Sequence, residues 1–328
     1  MTGDGLGAGH QAEYVLPLRW STDEDAEELG GYLRWLATRV DVTVVDGSPP
    51  DLFRAHARLW AGVRHIAPEA AGLNGKACGV VTGLRHARHD AVVIADDDVR
   101  YDEDSLAAVL RRLRSADVVR PQNVFRPRPW HAAWDTGRSL INRAAGGDYA
   151  GTLAVRRALA APGYDTDVLF ENLELERTIR ARGGAVDVAR DVFVERRPPS
   201  AARFREQRVR QAYDSFAQPL RLLAELALLP GLLGAILRRR PEVLLAVGSA
   251  AVGLAAAGRL RAGGRAVFAR RDVLWALPWV LERSVTAWIA LGWRLRGGVP
   301  YRGRRLLRAG TPERILRRRA AEARDDGD

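Results

Sequence analysis

Three consecutive aspartates, Asp96, Asp97 and Asp98, directly follow the apolar run 92–95. Carboxylates two positions apart at the end of a buried strand can converge on one hard cation, Mg²⁺ or Mn²⁺, because such cations prefer oxygen ligands. A nucleotide diphosphate would supply the remaining oxygens, and the cation would stabilise the diphosphate as it leaves. A solvated acidic turn is the alternative. An EF-hand is excluded, because Tyr101 and Ala107 stand where that loop needs glycine and glutamate.

Two pairs of polar residues recur at helical spacing. Glu171 and Glu174 lie three positions apart, so both can share one helix face and reach a cleft. Gln207 and Arg210 have the same spacing, and Arg210 could hold a departing diphosphate. The alternatives are two solvated glutamates in a first helical turn and a basic helix face on anionic lipid. Lys76 is the only lysine in the chain, which suggests either a need for an ammonium there or retention by chance.

Strands alternate with helices through residues 14–218, which predicts an α/β sheet with both faces covered. The predicted strands are 14–18, 40–46, 63–66, 91–95, 118–121 and 150–155, and the predicted helices are 24–39, 74–85, 102–115, 173–182 and 200–218. In such sheets ligands bind outside the carboxyl ends of the strands. Asp46 and the three aspartates after residue 95 both follow strands at such ends.

Composition limits the class of protein. The 328 residues are 47% hydrophobic and 28% charged, which is typical of a globular chain. The net charge of +11 predicts an anionic partner. A single cysteine, Cys78, excludes an internal disulfide framework and favours a reducing compartment. The first eleven residues have no apolar core, so we expect no signal peptide and a cytoplasmic first domain.

Three apolar blocks separated by arginine clusters follow residue 218: 219–237, 242–258 and 272–295. Each is close to the length that spans a bilayer, and four tryptophans in the third suit an interfacial belt. We therefore predict membrane association. Because every intervening loop is basic, a re-entrant hairpin or interfacial helices fit better than three full spans. A helical subdomain packed on the catalytic core is the alternative.

Seven motifs occur in an order typical of one enzyme family. They are Val15-Leu16-Pro17, Val44-Val45-Asp46-Gly47-Ser48, Asn74-Gly75-Lys76-Ala77, Asp96-Asp97-Asp98, Gly151-Thr152-Leu153-Ala154-Val155-Arg156-Arg157, Glu171-Asn172-Leu173-Glu174-Leu175 and Gln207-Arg208-Val209-Arg210-Gln211. With these motifs in register over residues 14–218, the chain resembles the family-2 glycosyltransferases with a GT-A fold. The apolar blocks resemble the membrane segments of polysaccharide- and glycolipid-forming members.

The resemblance implies a GT-A type, Rossmann-like mixed sheet with helices on both faces, followed by hydrophobic C-terminal helices. It implies that Asp46 holds the nucleoside through its base or ribose. Asp96 would lie near the ribose and diphosphate with Asp97 beside it in the donor site. Asp98 would be the direct ligand of Mg²⁺ or Mn²⁺.

The remaining motifs would contact the donor or the acceptor. Lys76 would face the nucleotide, and the Gly151-Thr152 pair would allow a close backbone approach to donor sugar or acceptor, because glycine leaves room. Gln207 and Arg210 would contact the donor. Gln211 replaces a tryptophan that stacks on acceptor sugar in many members, which argues against a processive polymerase.

An inverting transfer needs a carboxylate that takes the proton of the acceptor. The family's motif normally ends in Glu-Asp with the aspartate as base, but this chain has Asn172 there, and an amide cannot accept that proton usefully. We therefore predict Glu171 as the general base, with Glu174 as the second candidate. Asp165 and Asp167 come next.

These observations predict four segments: a flexible N-terminus (1–12), a GT-A domain (13–218), a membrane-associated helical region (219–296) and a basic, flexible tail (297–328). The predicted function is an inverting, metal-dependent glycosyltransferase at the cytoplasmic face of the cell membrane. Its partners would be a nucleotide-sugar donor, a lipid-linked or saccharide acceptor and anionic membrane lipid.

Three other classes of protein share part of this pattern. A dinucleotide-binding dehydrogenase fails, because Gly3, Gly5 and Gly7 precede the first strand rather than follow it. A nucleic-acid binder is disfavoured, because the arginines are interleaved with apolar blocks, so lipid is the better anion. A catalytically inactive, membrane-anchored relative that binds nucleotide sugar or assembles partners is favoured by Asn172 and stays open.

Overall fold

The computed structural model describes residues 10–22, 25–149, 151–301 and 303–325. In chain order the strands are β1 (Ala12–Leu18), β2 (Asp41–Asp46), β3 (Arg64–Ile66), β4 (Ala91–Ala95), β5 (Val99–Arg100), β6 (Val118–Val119), β7 (Gln122–Phe125), β8 (Thr152–Arg156), β9 (Val186–Asp187), β10 (Phe193–Arg196), β11 (Val299–Tyr301) and β12 (Arg304–Leu306). Seven of them form the main sheet in the order β3-β2-β1-β4-β8-β6-β9. A small second sheet has the order β5-β10-β7.

Thirteen α-helices are present in the described ranges. They are α1 (Ala26–Ala37), α2 (Pro50–Leu59), α3 (Gly75–His86), α4 (Glu103–Arg112), α5 (Trp130–Ala145), α6 (Arg157–Ala160), α7 (Glu171–Ala181), α8 (Ala201–Tyr213), α9 (Pro219–Leu237), α10 (Pro241–Leu260), α11 (Gly264–Val267), α12 (Ala276–Leu295) and α13 (Glu313–Asp325). Two buried hydrophobic clusters pack against the main sheet. The predicted α/β architecture is therefore confirmed.

The register of the main sheet brings the functional loops to one edge. β1 pairs in parallel with β2, with Leu18 opposite Asp46, and also in parallel with β4. β8 runs antiparallel to β4, with Thr152 opposite Ala95. The chain after β4 therefore meets the chain that enters β8, which places Asp96 beside Gly151.

Helix α3 lies unusually close to β1. A Cβ atom added to Gly79 would lie 2.9 Å from the Cβ of Pro17, and one added to Gly83 would lie 2.2 Å from a methyl group of Val15. Only glycine permits this approach without displacement of the strand. Asn74 caps the helix by accepting hydrogen bonds from the backbone N–H groups of Lys76 and Ala77. This packing fixes the start of α3 at the edge where β1 and β2 end.

Each predicted strand and helix has a counterpart, with boundaries shifted by a few residues. The predicted starts at Glu24 and Ala150 lie outside the described residues. Helix α2, helix α5 and the strands of the small sheet were not predicted. Helix α5 carries Asp135 and Arg143, both buried, and these charges obscured its apolar face.

Two helices of the C-terminal region are long and apolar enough to cross a membrane by length and composition. They are α9 and α10, with mean hydropathies of 1.9 and 1.8, and only 11% and 17% of their apolar windows are buried. The third predicted block forms α12. This helix is continuous, but the charged pair Glu282 and Arg283 interrupts its apolar sequence. Ala251, Ala255 and Gly258 of α10 are buried, and Gly258 lies against the backbone of α5.

The chain beyond residue 297, for which the sequence predicted a flexible tail, contains the hairpin β11–β12 and helix α13. The segment after β12 runs beside the start of α7, where Leu169 N–H donates to the carbonyl of Arg308 at 3.0 Å. Strands of three residues carry little periodicity, so the sequence did not reveal β11 and β12.

Candidate active site

The three consecutive aspartates lie at the end of β4, as predicted. The backbone N–H of Asp96 donates to the carbonyl of Gly151 at 2.9 Å. Gly151 has a φ of +69°, and a Cβ atom there would lie 2.7 Å from Oδ2 of Asp96. A side chain at this position would therefore be strained and would displace the carboxylate. Asp97 turns away and accepts a hydrogen bond from the indole N–H of Trp20 at 2.5 Å.

Asp98 is the carboxylate that best fits a cation. Its Oδ1 is buried and finds no hydrogen-bond partner in the described ranges, while Oδ2 accepts from Nε of Arg196 at 2.8 Å. Burial, together with the negative charges of Asp96 and Asp97, raises the pKa of Asp98 to about 6 although Arg196 opposes the shift. Burial disfavours the negative charges of clustered carboxylates, and a nearby positive charge stabilises them. The residues present therefore fit a divalent cation.

Lys76 joins the aspartate cluster to the predicted base. Its Nζ lies 2.5 Å from Oδ1 of Asp96 and 2.6 Å from Oε1 of Glu171. Burial disfavours the ammonium, but the two carboxylates outweigh it and raise the pKa of Lys76. Lys76 therefore places a compact ammonium between two acids.

Glu171 and Glu174 have different environments although they lie one helical turn apart. Glu171, the first residue of α7, faces Lys76. Glu174 is fully buried, and its Oε2 accepts from the backbone N–H of Thr311 at 2.6 Å. Burial raises the pKa of Glu174. Glu171 therefore lies with the aspartates, whereas Glu174 attaches the C-terminal segment to α7.

Asp46 is not open to the cleft. It is 1% exposed, and its Oδ2 lies 2.7 Å from Nδ1 of His56 and 3.0 Å from Nε2 of His65, while Oδ1 accepts from the N–H of Ser48. Burial acts against the charge, but the bonds from His65, Ser48 and His56 prevail and lower the pKa of Asp46 to about 2. The ligating atoms of Asp46, His56 and His65 lie within 4.8 Å of one another, close enough to hold a metal ion. The distances are those of hydrogen bonds, so the carboxylate shapes the loop after β2.

The other predicted site residues are distributed around this edge. Thr152 is buried in the sheet, where its hydroxyl bonds to Ile94 O and the hydroxyl of Tyr101. Gln207 and Arg210 both lie on α8, and the guanidinium of Arg210 stacks 5.0 Å from the ring centre of Tyr301. The structure therefore brings Lys76, Asp96, Asp98 and Glu171 together. Arg210 lies against Tyr301.

Two residues of this region were not predicted. Arg196, at the end of β10, contacts both Asp96 and Asp98 and is brought there by the small sheet. Asp214 follows α8, and burial and the charge of Glu171 raise its pKa to about 7. No local pattern marks either residue, because their contacts join segments distant in the chain.

Comparisons with known proteins agree with this architecture. The family model for glycosyl transferase family 21 matches residues 51–124. The structure is similar to that of the mannosyltransferase PcManGT from Pyrobaculum calidifontis, solved in complex with GDP-Man and Mn²⁺. The similarity covers 88% of this chain and 88% of that chain, with 21% sequence identity and a TM-score of 0.55. The search of curated proteins found no match.

Weaker structural likenesses involve two other glycosyltransferases. Mannosyl-3-phosphoglycerate synthase from Rubrobacter xylanophilus is 16% identical over 60% of this chain and 70% of its own, with a TM-score of 0.42. Glucosyl-3-phosphoglycerate synthase from M. tuberculosis is 18% identical over 59% and 73%, with a TM-score of 0.39. The likeness to the P. calidifontis enzyme shows that this chain has the GT-A fold. The family-21 match supports a glycosyltransferase and does not specify family 2.

Proposed function

We propose that this chain is an inverting glycosyltransferase that moves a sugar from a nucleotide diphosphate donor to a lipid-linked or saccharide acceptor. The observation that carries the proposal is the meeting of Asp96, Asp98, Lys76 and Glu171 at the carboxyl edge of a GT-A sheet. The family-21 match and the bound GDP-Man of the P. calidifontis neighbour support the donor class.

Asp96 and Asp98 would hold Mg²⁺ or Mn²⁺ in this proposal. The supporting observations are the unpartnered Oδ1 of Asp98, the absence of a side chain at Gly151 and the Mn²⁺ of the neighbouring structure. When bound, the cation supplies Lewis-acid stabilisation of the diphosphate that departs. Arg196 and Lys76 neutralise the aspartates before the donor arrives.

Glu171 is the proposed general base. It takes the proton of the acceptor hydroxyl as that oxygen bonds to the anomeric carbon, and the bond from this carbon to the diphosphate oxygen breaks. Lys76 Nζ lies 2.6 Å from Oε1 of Glu171 and so orients the carboxylate. Glu171 and Asp96 contact the same ammonium group of Lys76, which supports a position of Glu171 beside the donor sugar.

The acceptor reaches the site from the cytoplasmic membrane surface, in this proposal. Large apolar side chains on α9 and α10 support membrane contact, since Leu220 of α9 is 84% and Leu245 of α10 is 71% exposed. Arg238, Arg239 and Arg240, all exposed at the turn between the helices, suit anionic headgroups. Because the C-terminal half of α10 packs on α5 of the catalytic domain, we favour helices that lie at the interface over full spans.

A panel of nucleotide sugars tests the function. We expect one donor to raise the thermal unfolding temperature of the full-length protein in detergent only with Mg²⁺ or Mn²⁺. A ligand at a hundred times its Kd stabilises by about 2.7 kcal/mol, so the shift is measurable. Asp98→Ala should remove the shift, whereas Asp104→Ala, an exposed acid at the start of α4, should keep it. A cation-independent shift, or an unchanged one in Asp98→Ala, would disprove the cation site.

A further inference from the structure

A cavity of about 380 Å³ opens where β1 and β2 end, and two distant parts of the chain form its walls. Leu18, Arg19 and Gly47 come from the catalytic sheet. Tyr301 and Arg304 come from the β11–β12 hairpin. The chain therefore returns from the helical region to the carboxyl edge of the sheet, where ligands of such sheets bind.

Tyr301 contacts two of the segments that the sequence assigned to the donor. Its hydroxyl donates to Oδ1 of Asn74 at 3.2 Å, and Asn74 caps the helix that carries Lys76. On its other side the guanidinium of Arg210 stacks over the ring at 5.0 Å. The hairpin thus lies between α3 and α8, in contact with both.

The hairpin is fixed at both ends. Gly297 and Gly298 have φ values of +93° and +115°, which let the chain turn sharply out of α12. After β12, Arg308 pairs with Asp165 at 2.6 Å. The Thr311 N–H then bonds to the buried Glu174. These contacts hold the hairpin against the strand edge and the start of α7.

The charges that line the cavity have one sign. Arg19 and Arg304 are both exposed, and the side chain of neither makes a hydrogen bond or ion pair with a residue in the described ranges. None of the residues lining the cavity is acidic. Two guanidinium groups facing an acid-free cavity favour an anion, and their planar forks match phosphate oxygens.

We propose that the β11–β12 hairpin completes the donor site, with Arg304 and Arg19 binding the phosphate oxygens of the nucleoside diphosphate. The proposal rests on the function proposed above and adds Arg19 and Arg304, neither of which belongs to one of the seven motifs. It also explains why the segment after the apolar helices is folded against α7, since the hairpin must be held at the cavity while the helices contact a membrane.

Equilibrium binding of UDP and of GDP, each with Mn²⁺, to the full-length protein in detergent tests the proposal. Whichever diphosphate binds the wild type, Arg304→Ala should raise its Kd about tenfold or more, because a charge-assisted hydrogen bond is lost. The matched control is Arg318→Ala, which removes an exposed arginine of α13 and should leave Kd unchanged. Arg304→Ala should unfold at the wild-type temperature without ligand, because this side chain makes no contact that supports the fold.

The outcomes separate the two proposals. Wild-type affinity in Arg304→Ala, with binding lost in Asp98→Ala, would overturn the hairpin proposal and leave the glycosyltransferase intact. Equal losses in Arg304→Ala and Arg318→Ala would show a nonspecific effect of net charge and would also overturn it. Failure of the wild type to bind either diphosphate, or any sugar nucleotide of the panel, would overturn both.

Discussion

The carboxyl edge of the main sheet and the surface of α9 and α10 distribute their side chains in opposite ways. At the sheet edge charged groups are sheltered and pair with one another, as Lys76 does with Asp96 and Glu171. On the two helices leucines are turned outward, with Leu237 83% and Leu245 71% exposed. A water-facing surface seldom carries so many exposed apolar side chains together. The difference indicates that the first region is built for a charged ligand and the second for an apolar surface.

The largest effect is expected from the base in the first region. Glu171→Gln should lower turnover by about 10²–10⁴ with donor affinity nearly intact, because a lost general base typically costs that much. Steady-state transfer rates and Kd for the donor measure the two quantities separately. Glu174→Gln should instead lower the unfolding temperature, because it weakens the bond to Thr311. An inactive Glu174 variant beside a normal Glu171 variant would reverse the roles.

The second effect concerns the apolar surface. The double variant Leu237→Asp/Leu245→Asp should lose about a hundredfold or more in partitioning to anionic vesicles, since each buried leucine contributes about 1.5–3 kcal/mol. Vesicle flotation measures the partition coefficient. Leu59→Asp changes a partly exposed leucine of α2 and should partition like the wild type. Flotation of the double variant equal to that of the wild type would contradict membrane binding by this surface.

A smaller effect is expected at Asp46, whose pKa is lowered to about 2. A depressed pKa stabilises the folded state above the unfolded value of 3.8, and this stabilisation is lost as pH falls through about 2. The shift corresponds to about 2–3 kcal/mol at neutral pH. Denaturant unfolding from pH 7 to pH 2 should therefore show Asp46→Asn less stable than wild type, with the gap closing below about pH 4. A gap that is constant with pH would contradict the charged interaction.

The sequence predicted the first region well because its signals are local. The apolar run before Asp96 and the cap residue Asn74 each specify a strand end or a helix start from a few neighbouring residues. Lys76 and Glu171 were assigned to the site by the family resemblance, and the structure places both beside Asp96. The GT-A fold followed from the order of these motifs, and the structure confirms it.

Contacts between distant segments were not predictable in the same way. The role of Asp46 at the nucleoside stays a prediction. Its contacts with His56 of α2 and His65 of β3 were not predicted, because no spacing rule relates the three residues. Arg196 and Tyr301 reach the site through the small sheet and the C-terminal hairpin. Such pairings depend on tertiary packing, which overrides what a short window of sequence can indicate.

The most direct test of the central claim is hydrolysis of the donor in the absence of acceptor, because a working transfer site releases its donor slowly to water. Purified full-length protein should liberate nucleoside diphosphate from one nucleotide sugar of a panel, only with Mg²⁺ or Mn²⁺, and Asp98→Ala should liberate none. Binding of a nucleotide sugar without any release by the wild type, with or without cation, would contradict the account and favour a catalytically inactive relative.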